Sequence, residues 1–253
     1  MTSVYDSARL AAAYAFDRPP VHQRILRSAR LGRHADRALD VGCGAGLSTA
    51  ALAPLARHVI GLEAAPAMLT HCRTVAPRAR FVIGAAERLP FGAGTFDLVT
   101  AAGALNYADL PPALAEIARV LTPDGKFLLY DFSEGRRSPD DDALADWFAS
   151  FERRFPWPPG WRPLDPRELP LGPSGLRLLD YAGIELRLPI TFEAYLRYTV
   201  SGMNVDSAIT RGVSSAEEAE IWCRETLAAV FAAGAVTVVV PGYLATLGRT
   251  GGE

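Results

Sequence analysis

The segment LDVGCGAG, residues 39–46, restricts the fold of this chain more than any other feature. A short apolar run that carries Asp40 ends there, and three glycines alternate with other residues directly after it: Gly42, Gly44 and Gly46. Glycines let the backbone turn sharply and approach a ligand closely, because no Cβ intervenes. Leu47 stands where a dinucleotide fingerprint needs its third glycine, which disfavours a pyrophosphate ligand. The segment predicts a strand, a ligand-binding loop and a helix; the alternative is a plain strand-to-helix turn.

Short apolar runs and helix-like stretches alternate after residue 38, which is typical of repeated βα units and a parallel sheet. The predicted strands lie near residues 38–41, 58–62, 80–83, 96–101 and 126–132. The predicted helices between them cover residues 47–55, 66–75 and 112–121. The order predicts an open α/β sheet with its ligand crevice at the carboxyl ends of the strands.

The rest of the chain flanks this core. Two helices are predicted before it, at 3–16 and 21–31, and a proline-rich, aromatic segment at 134–175 reads as an insertion. Two late strands, at 177–190 and 235–247, flank a helix at 215–231 that begins with a capping-box spacing. We expect a single domain, 1–253, made of a helical lid at 1–32, a core at 33–133, a substrate-side region at 134–232 and a final strand at 233–253.

Charge and cysteine content limit the classes of ligand and partner that this chain is expected to bind. There are 26 basic and 28 acidic residues with no basic run, so a nucleic-acid partner lacks the usual electrostatic attraction. Three scattered cysteines, Cys43, Cys72 and Cys223, predict neither a disulfide framework nor a metal site. No apolar stretch reaches membrane-spanning length, and the first residues carry charge, so we expect a cytoplasmic protein without membrane contact.

Glu63 ends the second predicted strand, VIGLE. A carboxylate at that place can accept two hydrogen bonds from neighbouring ribose hydroxyls, which indicates a nucleoside ligand. Taken alone, Glu63 reads equally as a solvated charge at a strand end.

Together these residues resemble the class I S-adenosylmethionine-dependent methyltransferases, in particular the small-molecule and quinone-type group. The resemblance covers about residues 38–132 and rests on five ordered segments: LDVGCGAG, GLEAAPAML, GAAERLPF, FDLVTAAGALNYAD and LTPDGKFLLYDF. It implies a Rossmann-like, mostly parallel sheet of seven strands in the order 3-2-1-4-5-7-6, with the last strand antiparallel. It implies S-adenosyl-L-methionine as cofactor, S-adenosyl-L-homocysteine as product, and a small-molecule acceptor.

The resemblance also implies which residues hold the cofactor. Asp40 and the loop of Gly42, Gly44 and Gly46 would bind its methionine part, and Glu63 its ribose. The adenine would lie among four further positions: Ala64, Met68, Ala86 and Glu87. Ala85 stands where family members commonly carry an acid for the adenine amino group, so the backbone of Ala86 and the side chain of Glu87 would replace that contact.

Two more cofactor contacts follow from the resemblance. Ala101 and Ala102, after the fourth strand, would line the cofactor from the other side. In the predicted lid, Tyr14 and Arg18 stand where related enzymes close the pocket with an aromatic residue and an arginine. Arg18 either pairs with the methionine carboxylate or caps a surface turn.

Candidate catalytic groups follow the fourth and fifth strands. Asn106 replaces a histidine that is frequent in the family, which leaves Tyr107, Asp109 and Asp131. Tyr107 is predicted to shape or hydrogen-bond the acceptor, and Asp131 either removes a proton from it or caps a turn. The single histidine of the lid, His22, reads as a surface residue.

Aromatic residues of the insertion and beyond are candidates for the acceptor wall. They are Trp147, Phe151, Trp157, Trp161, Tyr195 and Tyr198, with Met203. The helical spacing of Trp147, Phe148 and Phe151 favours a small satellite core instead, and both interpretations are compatible.

The sequence predicts methyl transfer to a small organic acceptor, at oxygen by direct displacement, with nitrogen and carbon as lesser options. The alternatives are a tRNA or protein methyltransferase, a cofactor-binding protein without transfer activity, and a nicotinamide-dependent oxidoreductase. We expect a monomer or homodimer.

Overall fold

The computed structural model describes residues 8–157 and 164–251. Two short helices come first, α1 (Ala8–Phe16) and α2 (Val21–Leu26), on either side of residues 17–20, which also separate the two predicted helices. Helix α2 ends earlier than the predicted residue 31. Its last turn tightens, because the amides of Ser28 and Ala29 bond to carbonyls three residues back.

Seven strands form one sheet in the order β3-β2-β1-β4-β5-β7-β6. Their bounds are β1 Ala35–Val41, β2 Ala56–Glu63, β3 Arg80–Ile83, β4 Phe96–Ala102, β5 Leu121–Phe132, β6 Leu176–Ile190 and β7 Val236–Arg249. β1 to β5 pair in parallel, while β7 runs antiparallel to both β5 and β6. The predicted fold class and strand order are confirmed.

The remaining helices lie between the strands. They are α3 Leu47–Leu52, α4 Cys72–Val75, α5 Leu110–Val120, α6 Ala143–Arg154, α7 Leu171–Ser174, α8 Phe192–Val200, α9 Met203–Thr210 and α10 Ala216–Leu227. Short 3₁₀ turns cover Pro66–His71, Ala104–Tyr107 and Pro166–Glu168. The predicted capping box at the start of α10 is present, with the Ser215 hydroxyl accepting from the Glu218 amide.

Beyond the early end of α2, the structure differs from the predicted elements most clearly in three places. The helix predicted at 66–75 is a 3₁₀ turn followed by the single turn of α4. Residues 122–125, which lie between the helix predicted at 112–121 and the strand predicted at 126–132, form a bulge inside β5, because pairing jumps from Leu121 to Lys126 opposite β4. Helices α8 and α9 occupy a stretch for which the sequence predicted no element.

Two large apolar clusters cover the two faces of the sheet. One includes Leu128, Tyr130 and the aromatic residues of α6, and the other includes Val99, Leu129 and the buried side of α5. Above the carboxyl ends of the strands, Arg9 of α1 forms an ion pair with Asp206 of α9. α1 also packs on the Pro66–His71 turn, so it connects the β2 side of the crevice to α9.

Candidate active site

A cavity of about 740 Å³ opens at the carboxyl ends of the parallel strands. The loops after β1, β2, β3, β4 and β5 line it, together with residues of the N-terminal helices, α8, α9 and β7. This is the place that an open α/β sheet offers for ligands, and the volume lies within the range of small-molecule sites.

The glycine loop forms one wall of this cavity. Gly42 has a φ of +67°, and a Cβ there would lie 2.2 Å from the Cβ of Ala104 in the turn after β4. Only glycine therefore lets the two turns close on each other. Gly42 and Gly44 line the cavity, whereas Gly46 lies at the start of α3 and does not line it.

Asp40 lies behind the loop instead of in the cavity wall. It is fully buried, and its carboxylate accepts hydrogen bonds from three hydroxyls: Ser48 (2.6 Å), Thr49 (2.7 Å) and Thr100 (2.8 Å). Burial raises the pKa of Asp40, and the three hydroxyls act against that rise. The direct cofactor contact predicted for Asp40 does not match this position; the residue ties β1, α3 and β4 together beneath the loop.

Glu63 is oriented by two backbone amides on the cavity wall. Its Oε2 accepts a hydrogen bond from the Gly44 amide and its Oε1 one from the Ala65 amide, each at 2.9 Å. A carboxylate offers about four acceptor sites, so capacity remains for two hydroxyls of a ligand. The charge is thus held beside the glycine loop, as a ribose diol requires.

The positions predicted for the adenine all line the cavity: Ala64, Met68, Ala86 and Glu87. Ala85, where the family's acid is missing, and Ala102, predicted on the other side of the cofactor, line it as well. Glu87 is fixed by accepting a hydrogen bond from the Asp109 amide at 2.9 Å. Ala101 is fully buried in the core and does not line the cavity.

Asp131 presents a carboxylate at the end of β5. The side-chain amide of Asn106 donates to its Oδ2 at 2.8 Å, and the Phe132 amide donates to its Oδ1 at 2.8 Å. Burial raises the pKa of Asp131 above its ordinary value. Gly103, with a φ of +64°, leaves room for this carboxylate, because a Cβ there would lie 2.8 Å from Oδ1.

Comparison with known proteins supplies the deciding observation. A family model described as a methyltransferase domain matches residues 39–129. The uncharacterized methyltransferase sll0829 of Synechocystis sp. is 34% identical over 153 residues, which cover 59% of this chain and 72% of that protein. This chain belongs to the class I S-adenosylmethionine-dependent methyltransferases.

Two further similarities agree with this family. The demethylmenaquinone methyltransferase of Beutenbergia cavernae is 32% identical over 148 residues, covering 58% of this methyltransferase and 61% of that protein. Phosphoethanolamine N-methyltransferase 2 of Haemonchus contortus, solved in complex with S-adenosyl-L-methionine, shares the fold with a TM-score of 0.57 at 16% identity. That similarity covers 99% of this methyltransferase and 60% of that chain. The cofactor of this enzyme is S-adenosyl-L-methionine.

The methyltransferase cavity has the groups that this cofactor needs. Gly42 and Gly44 bring bare backbone to the wall, and the Glu63 carboxylate stands next to them with free acceptor capacity. Small side chains follow on the adenine side. The residues present therefore fit an adenosyl ligand.

The N-terminal residues Tyr14 and Arg18 also line the cavity. The Arg18 guanidinium carbon lies 4.0 Å from the ring centre of Tyr14 and 5.0 Å from that of Tyr198. Its Nη2 donates to the Ser201 carbonyl at 3.0 Å. Arg18 thus links the N-terminal segment of the methyltransferase to α8 across the mouth of the cavity.

The aromatic candidates divide into a wall and a core. Trp157, Tyr198 and Met203 line the cavity, as does Tyr107, whose hydroxyl donates to the Met203 sulfur at 3.7 Å. Four others pack in the apolar cluster beneath: Trp147, Phe148, Phe151 and Tyr195. The helically spaced Trp147, Phe148 and Phe151 are core residues, but they belong to the large cluster on one face of the sheet and not to a small satellite core. Trp161 lies outside the described residues.

His22 is a cavity residue that sequence reasoning missed. Its Nδ1 lies 3.0 Å from the Tyr130 hydroxyl, and its ring packs edge-on against Tyr130 and Phe132. Burial, helped by the charge of Arg18, lowers the pKa of His22 to about 4. No local sequence signal marks this contact, because its partners lie more than a hundred residues away.

Arg136 and Tyr243 line the cavity as well and were not among the predicted site residues. Tyr243 pairs with Asp131 across β5 and β7.

Within residues 8–157 and 164–251, no cluster of three or more metal-ligating side chains is present. In the same residues no helix has the length and apolar character that crossing a bilayer demands.

Proposed function

We propose that this methyltransferase transfers a methyl group to an oxygen of a small organic acceptor by direct in-line displacement. The observation that carries this proposal is the Asp131 carboxylate, partly desolvated at the cavity wall and held by Asn106. Asp131 would take the proton of an acceptor hydroxyl, which a methyl transfer to oxygen must release. A raised pKa makes a carboxylate a stronger base for this purpose.

The proposed cofactor contacts follow the geometry of the cavity. Glu63 would accept hydrogen bonds from both ribose hydroxyls, while Gly42 and Gly44, with Tyr14 and Arg18 above them, would hold the methionine part. The adenine would lie along five residues: Ala64, Met68, Ala86, Glu87 and Ala102. In this proposal Asp40 and Gly46 act indirectly, by shaping the loop.

The bound cofactor supplies an electrophilic methyl group, so the protein has to position the acceptor and exclude water. Positioning alone can remove ~7–11 kcal/mol of a reaction barrier. Trp157, Tyr198 and Met203 would hold the acceptor against the methyl group, with Tyr107 closing the wall beside them. In the resulting step the acceptor's O–H proton would pass to Asp131 while the acceptor oxygen takes the methyl group that the bound cofactor supplies, with S-adenosyl-L-homocysteine as the product.

A small acceptor is supported by the shape of the cavity and the charge of the chain. The acceptor side is a recess walled by aromatic rings, and the formal net charge is −2, which gives a nucleic acid no general attraction. The similar protein from Beutenbergia cavernae carries the name of a quinone methyltransferase, which agrees with a small acceptor. The cytoplasmic location and the monomer or homodimer stay predictions.

The test is methyl transfer from labelled S-adenosyl-L-methionine to matched acceptors. A panel of phenols and enols, carboxylic acids, primary amines, total tRNA and a denatured protein mixture separates the classes. We expect turnover of phenols or enols, dependent on Asp131. Methylation of tRNA, protein or amines without any oxygen acceptor would overturn the proposal, as would tight S-adenosyl-L-homocysteine binding without turnover of any panel member.

A further inference from the structure

The pairing of His22 with Tyr130 sets the hydrogen-bonding character of one cavity wall. Tyr130 is fully buried in β5, and within the described residues its hydroxyl has His22 Nδ1 as its recorded partner, at 3.0 Å. The two rings meet edge-on, and Phe132 packs against the imidazole from the next position on the same side of β5. The imidazole is therefore held in one orientation.

This contact determines which ring nitrogen carries the proton. A buried phenol hydroxyl that donates to nothing is unfavourable, and among the described residues His22 Nδ1 is the polar atom that lies within hydrogen-bonding distance of the Tyr130 hydroxyl. The Tyr130 O–H therefore donates to Nδ1. A neutral imidazole whose Nδ1 accepts a hydrogen bond carries its proton on Nε2.

The geometry leaves the Nε2–H group available to a ligand in the cavity. Among the described residues Nε2 has no hydrogen-bond partner, it is not one of the fully buried polar atoms that lack a partner, and His22 lines the cavity. Side chains alternate along β5, so Tyr130 with His22 stands on one side of the strand end and Asp131 on the other. A proton-accepting carboxylate and an N–H donor therefore flank the same opening.

We propose that His22 donates a hydrogen bond through Nε2 to a second, carbonyl-type oxygen of the methyl acceptor. This inference rests on the proposed function, because it assigns the acceptor to compounds that carry such an oxygen beside the hydroxyl to be methylated. Tyr130 is the positioning residue, since its hydroxyl fixes the tautomer. His22 is thus a donor that selects and orients the acceptor, and the base is Asp131.

The tautomer can be measured without any acceptor. The chain has four histidines, so ¹⁵N-histidine labelling and long-range ¹H–¹⁵N correlation resolve His22 in the protein saturated with S-adenosyl-L-homocysteine. We expect the neutral Nε2–H form at pH 7, and a mixture of tautomers in Tyr130→Phe. A charged imidazole or an Nδ1–H form in the unchanged protein would overturn the inference.

The second oxygen is tested with two probes of similar shape. 2-Hydroxyacetophenone has a carbonyl beside its hydroxyl, and 2-ethylphenol has none. Calorimetry should show about tenfold tighter binding of the former, a difference that His22→Phe removes and His22→Gln, which keeps an N–H donor, largely retains. Equal binding of the two probes to the unchanged protein would overturn the inference.

Binding of S-adenosyl-L-homocysteine tells whether the oxygen that His22 Nε2 contacts belongs to the acceptor or to the cofactor. We expect its Kd to stay within twofold in His22→Phe. A tenfold loss would mean that Nε2 serves the cofactor carboxylate, which contradicts the inference. The tautomer and the binding ratios are measured without turnover. Failure of the methyl-transfer panel would therefore count against the proposed function, whereas the role of His22 is decided by these binding measurements alone.

Discussion

The two halves of the cavity are built in different ways. The cofactor half is formed mainly by four successive loops within residues 41–104: residues 41–48, 62–68, 84–87 and 102–104. Tyr14 and Arg18 of the N-terminal segment are the one distant contribution to this half. The acceptor half assembles distant segments: residues 19–22, 106–108, 131–136, 157, 198–203 and 241–243. The first half works largely through backbone and small side chains, whereas the second works through large and titratable ones. A binding mode that depends on backbone approach leaves a local sequence signature, and one that depends on assembled side chains does not.

The largest expected effect concerns the acceptor half alone. Asp131→Asn should lower kcat by roughly 10²–10⁴, because the proposed base is lost, and should leave S-adenosyl-L-homocysteine affinity unchanged. Burial raises the pKa of Asp131, and the base acts deprotonated, so activity should fall as pH falls through this raised pKa, at a higher pH than for an ordinary aspartate. A pH-rate profile of the variant should lack this acid limb.

Asp109→Asn is the matched control for that variant. Asp109 follows the turn after β4 that carries Asn106, but it is exposed and does not line the cavity, so turnover should not change. An Asp131→Asn enzyme with the turnover and pH profile of the unchanged protein would remove Asp131 from the mechanism.

Removal of a charge in the cofactor half should instead weaken binding of the cofactor. Glu63→Gln loses the carboxylate that two backbone amides orient, and its amide group meets one of those N–H donors unfavourably. Hydrogen bonds to a charged group contribute ~1.5–3 kcal/mol each, so we expect roughly 100-fold weaker S-adenosyl-L-homocysteine binding by calorimetry. Glu225→Gln, on the exposed side of α10, serves as control. Unchanged affinity in Glu63→Gln would refute the proposed ribose contact.

The aromatic wall should affect acceptor binding with a smaller magnitude. Trp157→Leu removes a ring that lines the cavity and donates to Glu152 at 2.9 Å. We expect the acceptor KM to rise about tenfold, with the cofactor Kd within twofold, because buried aromatic area is lost on one half only. Val213→Ser, at a 64% exposed position, is the control. A change in cofactor Kd of the same size would show that the two halves are not separable.

A substitution at Gly103 tests the place where the two halves meet, because this residue of the cofactor half lies against Asp131 of the acceptor half. Gly103→Ala places a Cβ 2.8 Å from the Asp131 carboxylate at a φ of +64°, which costs about 1–2 kcal/mol of unfolding free energy. Urea unfolding should show that loss, and kcat should fall several-fold as Asp131 is displaced. Gly172→Ala, where nothing lies within 4 Å, should be close to neutral. Equal stability of both variants would contradict the close approach.

The predictability of the fold follows the same division. Strand positions in the parallel core were predictable because each buried strand is a short apolar run between helix-like stretches, and the glycine loop marks the first crossover. Helices α8 and α9 were missed, because each is amphipathic over only about two turns, which is too short for a clear helical periodicity in the sequence. His22 was read as a surface residue because nothing near it in the chain reveals Tyr130.

By itself, the sequence determined the sheet and the positions of Glu63 and the glycine loop, since these depend on local periodicity and backbone freedom; the adenosyl-type cofactor followed from the family resemblance of five ordered segments. Only the tertiary structure decided that Asp40 lies behind the loop, that Asn106 meets Asp131 and that His22 meets Tyr130. Such contacts join segments far apart in the chain. Their burial and pairing, which set pKa values and proton positions, exist only once the chain has packed.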